Sequence, residues 1–142
     1  VAAIDVVLDA SVLLAWWLPE VEDARLYAQK VAQAGRVGAV FHAPHVLEVE
    51  VAAGLLRAMR ARKISLDTLN SALDEIESVG VVVHHYPYSS RRLVDIAVSH
   101  HLQVSDGLYF QLARVFELPL ATLDGGLRTA AKAHGVSLFE PA

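Results

Sequence analysis

The run Val6-Val7-Leu8-Asp9-Ala10-Ser11-Val12-Leu13-Leu14 limits this chain more than any other stretch. Three consecutive apolar residues lead into Asp9, and the apolar pattern resumes directly behind Ser11. An unbroken apolar run, without polar alternation, describes a strand covered on both faces, as in a parallel sheet flanked by helices. The acid that ends it falls where open α/β sheets hold ligands, beyond the carboxyl ends of their strands. Taken alone, Asp9 is equally well explained as a helix-starting residue, since Asp favours N-caps and the positive end of the helix dipole. Ser11 offers a hydroxyl cap for the same helix.

The rest of the chain repeats the theme. A first strand over Ile4 to Leu8 gives way to a helix from Ser11 to Leu18, stopped by Pro19. A helical run from Glu20 to Ala34 ends at Gly35, and Val40 to Ala43 form a short strand closed by Pro44. From Val46 to Arg62 the pattern is helical, with Val46, Val49, Ala53 and Leu56 as its apolar stripe. Ser65-Leu66-Asp67 opens another helix, with Leu66, Leu69, Leu73 and Ile76 facing the core and Gly80 at its end. Val81 to His84 is a third strand; Ser89 or Ser90 caps a helix to about His101; Ser105-Asp106 caps the next, Gly107 to Phe116. Leu120 to Thr122 is a fourth strand, Leu127 to His134 a helix, and Val136 to Phe139 a last strand. Strands alternating with helices predict a three-layer α/β/α domain with a central, mostly parallel sheet of about five short strands. At 142 residues and 54% hydrophobic, the chain suits one such domain over 1–142.

Four acids share one edge of that sheet. Asp9 ends the first strand, Asp124 follows the fourth, Asp106 begins the helix before it, and Glu50 lies one turn into the helix after the second. Like charges so gathered repel, so either their pKa values rise or cations fill the gap. Oxygen donors alone favour Mg²⁺ or Mn²⁺. Ser11 and Thr122 are placed to hydrogen-bond these carboxylates and hold their rotamers. Ser105 is as well explained as a plain cap. Glu48 faces about 200° away from Glu50 on the helix and is expected in solvent. Asp5 shares a strand face with Asp9 but at the opposite end, and Asp95 is a mid-helix surface charge. The net charge of −4 weighs against a simple nucleic-acid binder, unless bound ions reverse the local field.

The ordered motifs carry a resemblance. Val7-Leu8-Asp9-Ala10-Ser11-Val12-Leu13-Leu14-Ala15-Trp16 is similar to the opening of PIN domains, and Pro44 with Glu50-Val51-Ala52-Ala53-Gly54-Leu55 to their second acidic motif. Ser105-Asp106-Gly107-Leu108-Tyr109 and Ala121-Thr122-Leu123-Asp124-Gly125-Gly126-Leu127 resemble the third and fourth, with Asp106 and Asp124 separated by 18 positions. The group most like it is the VapC-like toxins of toxin–antitoxin pairs. That resemblance implies an endoribonuclease dependent on Mg²⁺ or Mn²⁺, with Asp9, Glu50, Asp106 and Asp124 as the metal-binding and catalytic quartet. It also implies an RNA substrate, a small antitoxin partner and a homodimer. Two positions depart from the pattern: Gly107, where Ala is frequent, and Gly54, where a polar residue, often Asn, is common.

Other notable residues have plainer uses. The pairs His84-His85 and His100-His101 lack a chelating spacing. His42 and His45 flank Pro44 and are read as structural. Arg57, Arg60, Arg62 and Lys63 suit the negative end of their helix. Arg91 and Arg92 open a helix, where cations are misplaced, and are therefore candidates for contacting RNA or a partner. Trp16, Trp17, Tyr86 and Tyr88 stack on bases in one reading and pack a core or interface in the other. Leu13, Trp16, Trp17 and Leu18 are the surface expected to meet an antitoxin or a second copy. Asp5 and Asp9 interrupt the first apolar run, which does not read as a signal peptide. The nine residues Ala10 to Leu18 are too few to span a bilayer. With no cysteine, a cytoplasmic protein is expected. The alternatives are an inactive PIN-like module that binds RNA or protein, and a haloacid-dehalogenase-like phosphatase. The latter wants a second Asp where Ser11 stands. A receiver domain wants a late Lys, and only Lys132 is available.

Overall fold

The computed structural model describes residues 4–142. Among these, β1 (Asp5–Leu8), β2 (Val40–Pro44), β3 (Val82–His84) and β4 (Leu120–Ala121) form one sheet in the order β3-β2-β1-β4. Every pairing is parallel, and Val7 stands between His42 on one side and Leu120 on the other. Between the strands run α1 (Ala10–Leu14), α2 (Glu22–Arg36), α3 (Val46–Arg60), α4 (Leu66–Val79), α5 (Ser90–His100) and α6 (Val104–Phe116); α7 (Gly125–Ala133) follows β4.

The apolar run that predicted a doubly covered strand is one: Val6, Val7 and Leu8 are wholly buried. α1 packs on α2 and α3, and α3 on α4, while α6 packs on α5, α7 and the strands. The chain moves from β1 to β2 to β3 in one direction, then crosses back past β1 to reach β4. Right-handed crossovers therefore place the helices before β3 and those after it on opposite faces. The reversal falls between β1 and β4, which is where an open parallel sheet leaves a crevice at its carboxyl edge.

Several expected details differ. The last strand, Val136 to Phe139, is reduced to one parallel bridge between Leu120 and Leu138. The left-handed turn at Gly135 before it and Pro141 after it leave no room for a ladder. The sheet thus has four strands, not five. α1 ends at Leu14, because Trp16 and Trp17 donate three residues back to Leu13 and Leu14 in a tightened turn. Gly35 does not stop α2. It lies inside the helix, where a Cβ would come within 2.6 Å of the Phe41 ring. The buried stripe of α3 is Leu47, Val51, Gly54, Leu55 and Ala58, whereas Val49 is exposed. A helix apolar almost all round offers two competing stripes, and the periodicity selected the wrong one. On α4, Leu66 and Leu73 face outward and Ala72 is buried. α6 starts at Val104 with Gln103 as its N-cap, so Ser105 and Asp106 lie in the first turn rather than before it.

The two departures from the family pattern have packing causes. At Gly107 a Cβ would meet Ile96 of α5 at 3.1 Å. At Gly54 it would lie 2.6 Å from Leu14 Cδ1, so the absent side chain lets α1 seat against α3. Replacing Gly54 by Asn must displace the Leu14 side chain of α1, whose N-cap is Asp9. Gly54→Asn is expected to lose about 1–3 kcal/mol of stability in urea unfolding. A neutral or stabilising effect would mean that Leu14 moves freely.

Candidate active site

Asp9 occupies the backbone position of an N-cap for α1, yet its side chain makes no capping hydrogen bond. Its Oδ2 accepts two hydroxyl protons instead, from Ser11 at 2.6 Å and from Thr122 at 2.7 Å. Each hydroxyl also accepts a backbone N–H from the segment after β4: Leu123 N–H donates to Ser11 Oγ and Asp124 N–H to Thr122 Oγ1, both at 3.0 Å. Each hydroxyl has one proton to donate and two acceptor sites, and it donates that proton to the carboxylate. Ser11 is therefore not the helix cap that the sequence suggested. It and Thr122 form a clasp that joins the carboxyl ends of β1 and β4 around one oxygen of Asp9. Asp9 is 4% exposed and Thr122 fully buried.

Two of the other acids are held by different means. Asp124 is the N-cap of α7, its Oδ2 accepting from Leu127 N–H at 2.8 Å. Glu50 projects from α3, and its Oε1 accepts the hydroxyl proton of Tyr109 at 2.7 Å. Tyr109 is fully buried on α6, one turn beyond Asp106. Burial, then the charges of Asp9 and Glu50, push its hydroxyl far above the ordinary tyrosine range, so it remains a donor. Arg128 supports Thr122 from behind, donating to its carbonyl at 2.8 Å while pairing with Glu140 at 2.6 Å.

These four acids feel one another. Burial raises Asp9 above the usual carboxylate range; the bonds from Ser11 and Thr122 oppose this, and Glu50 and Asp124 add to it. Asp106 is pushed up to about 6 by burial, then by Asp124, Asp9 and Glu50. Asp106 and Asp124 line a cleft of about 510 Å³ together with His101, Leu102, Gln103 and Gly126. Among the described residues, no three or more acids or histidines stand close enough to cage a metal ion as they are. The donor set is nevertheless all oxygen, and its repulsion is of the kind that a small hard cation relieves. The residues present fit Mg²⁺ or Mn²⁺ in chemistry.

Some predicted residues lie elsewhere. Arg91 and Arg92 are exposed at the start of α5. His101, at the other end of that helix, lines the acidic cleft; at about 1.5 Å of rise per residue the arginines are roughly 15 Å away along the axis. Glu48 is exposed while Glu50 is half-buried. His42 ties the sheet together, with Nε2 at 2.8 Å from Asp5 Oδ1 and Nδ1 at 3.0 Å from His84 Nε2. Asp5 is thus a partner for His42. Tyr86 and Tyr88 stack on each other, centroids 5.2 Å apart. Leu13 is buried and offers no surface. Trp16 and Trp17 line an open cleft of about 650 Å³ with Phe41, Glu75 and Val79. Sequence reasoning missed Tyr109, Arg128 and Gln103, and considered His101 only for metal chelation. Tyr109 had a signal: a tyrosine three residues after an acid on a buried helix face needs a hydroxyl partner.

A family model described as PIN domain matches residues 6–133, a span that includes all four acids. The chain belongs to the PIN domain family. Ribonuclease VapC1 of Mycobacterium tuberculosis, in strains CDC 1551 / Oshkosh and H37Rv, is 33% identical over 93 residues, covering 64% of this chain and 68% of the relative. PAE2754 from Pyrobaculum aerophilum superposes with a TM-score of 0.66 at 20% identity, over 89% of this chain and 79% of that one. FitAcB from Neisseria gonorrhoeae gives a TM-score of 0.60 at 17% identity, over 96% and 97%. At these identities the structural likeness is one of fold. No helix of this PIN domain, among the described residues, is long and apolar enough to cross a membrane.

Two outcomes follow from the site's electrostatics. Asp106 has a folded-state pKa of about 6 against an ordinary value of 3.8, so the unfolded chain loses this proton first and stability falls as pH rises through that window. Asp106→Asn removes the penalty. In EDTA it is expected to melt a few degrees above the native protein at pH 7.5, with the gain shrinking between pH 6 and pH 4. A gain equal at all pH values would refute the charge origin. Tyr109→Phe leaves Glu50 Oε1 without its donor and is expected to lose about 1 kcal/mol in thermal or urea unfolding.

Proposed function

We propose that this PIN domain is a divalent-metal-dependent endoribonuclease that hydrolyses RNA phosphodiester bonds, acting as the toxin of a toxin–antitoxin pair. The observation that carries the reading is the buried Asp9 carboxylate, whose pKa is raised in part by Glu50 and Asp124. A fold gains no stability by collecting these charges, and the relative named Ribonuclease VapC1 supports their use on RNA.

In this reading Asp9, Asp106, Asp124 and Glu50 hold Mg²⁺ or Mn²⁺, directly or through water. Bound there, the ion supplies an acidified water as nucleophile and stabilises charge on the leaving oxygen. The chain's own residues do the positioning. Ser11 and Thr122 fix one oxygen of Asp9 and leave Oδ1 outside both bonds, the oxygen that would face the ion. Leu127 N–H fixes Asp124 in the same manner, and Tyr109 fixes Glu50, leaving Oε2 for the ion or for the attacking water. Burial of Asp9 keeps bulk water from competing for it.

A small antitoxin as partner, and a homodimer, belong to the same proposal. The partly exposed Trp16, Trp17 and Leu18 support a partner surface on the α1–α2 side. Arg91 and Arg92 serve only an RNA long enough to reach the far end of α5.

The test is cleavage of single-stranded RNA by purified protein with Mn²⁺ or Mg²⁺, comparing native protein with Asp9→Asn. Cleavage is expected to stop in EDTA and to fall at least a hundredfold in the variant. EDTA-resistant cleavage, or full activity of Asp9→Asn, overturns the mechanism.

A further inference from the structure

The cleft beside Asp106 and Asp124 has a second wall, made by the short connection between α5 and α6. Its residues are His101, Leu102 and Gln103. Both polar members are poor choices for the backbone they occupy. His101 ends α5 in the left-handed region at φ 56, where Gly is the favoured residue. Gln103 is the N-cap of α6 and makes no side-chain capping bond. Such positions are filled both ways in this chain: Val21 and His45 also cap α2 and α3 without a side-chain bond. Gly80 ends α4 in the left-handed region, and Ser65, Ser89 and Asp124 cap α4, α5 and α7 with side-chain bonds. Arg62 and Glu117 also have positive φ, so the backbone alone does not single out His101. What separates it, and Gln103, is that both line the cleft that holds two of the four acids.

A wall of acids alone repels a nucleic-acid strand. Of the residues lining this cleft, His101 alone can carry positive charge, and Gln103 offers both a donor and an acceptor. His101 and Gln103 are exposed, and Leu102 half-buried between them gives the connection a fixed anchor. Its N–H donates to the carbonyl of Ala97 at 2.9 Å. A Gly or Ser here would suit the helices better, but would bring no group to the substrate.

We propose that His101 and Gln103 are the positioning residues for the RNA strand at the acidic cleft. His101 donates to a phosphate oxygen beside the scissile bond, and Gln103 hydrogen-bonds the adjoining ribose or base edge. This rests on the ribonuclease reading. Neither residue takes part in the bond-breaking step.

The variants that test it are His101→Gly and Gln103→Ser, each of which gives the backbone its preferred residue. Both are expected to melt at or above the native temperature. In steady-state cleavage of a single-stranded RNA with Mn²⁺, each is expected to raise KM about tenfold while kcat changes less than twofold. The double variant exceeds either single one. Unchanged KM in both variants, with native protein still cutting RNA, overturns this inference and leaves the ribonuclease reading intact. Lower melting temperatures with kcat and KM disturbed together mean a structural role and also overturn it. Native protein that cuts no RNA with either metal removes the ribonuclease reading, and this inference with it.

Discussion

Two hydroxyl groups closing on one carboxylate oxygen decide the form of this site. Ser11 and Thr122 each accept a backbone N–H from the segment after β4 and each donate to Asp9 Oδ2. This joins two strands that share only a short ladder, Val7 with Leu120 and Leu8 with Ala121. The gap between β1 and β4 is where the chain reverses direction across the sheet, and parallel sheets leave a crevice there. The clasp joins the two sides of that crevice. It holds one oxygen of Asp9 in place, within reach of the charges of Glu50 and Asp124.

The rest of the site is a balance between fastening and repulsion. Leu127 N–H fixes an oxygen of Asp124, and the Tyr109 hydroxyl fixes an oxygen of Glu50. Asp106 has no such fastening among the described hydrogen bonds, and it is the acid raised to about 6. Fastening one oxygen of three carboxylates keeps their charges close, and the pKa values of Asp9 and Asp106 rise, by burial first and then by these neighbours. That is a costly arrangement for an apo protein, and a receptive one for a small dication.

The layer order and the edge on which the acids gather were legible in the sequence, because they follow from apolar runs and from strand ends. Val6 to Leu8 and the acids at Asp9 and Asp124 needed no structure to be associated. What was not legible depended on pairing across the fold. The Asp9–Thr122 bond joins residues 113 positions apart, and the Glu50–Tyr109 bond residues 59 apart. No local pattern encodes either. Nor could periodicity choose the buried stripe of α3, since Val49 and Val51 are equally apolar and only packing on α1 separates them. Glycines misled for the same reason: Gly35 reads as a helix stop but is the space under Phe41. His101 reads in the sequence only as half of a pair without chelating spacing, and Gln103 carries no signal, because their place beside the acids appears only once the fold is known.

The proposed role of the four acids is to receive a dication, and anomalous diffraction from a crystal soaked in Mn²⁺ bears on it. A peak is expected within bonding distance of Asp9 Oδ1 and of Asp106 or Asp124, with the Ser11 and Thr122 bonds to Oδ2 retained. A saturating soak that leaves this position without a peak, the acids paired instead through water or shared protons, would contradict it.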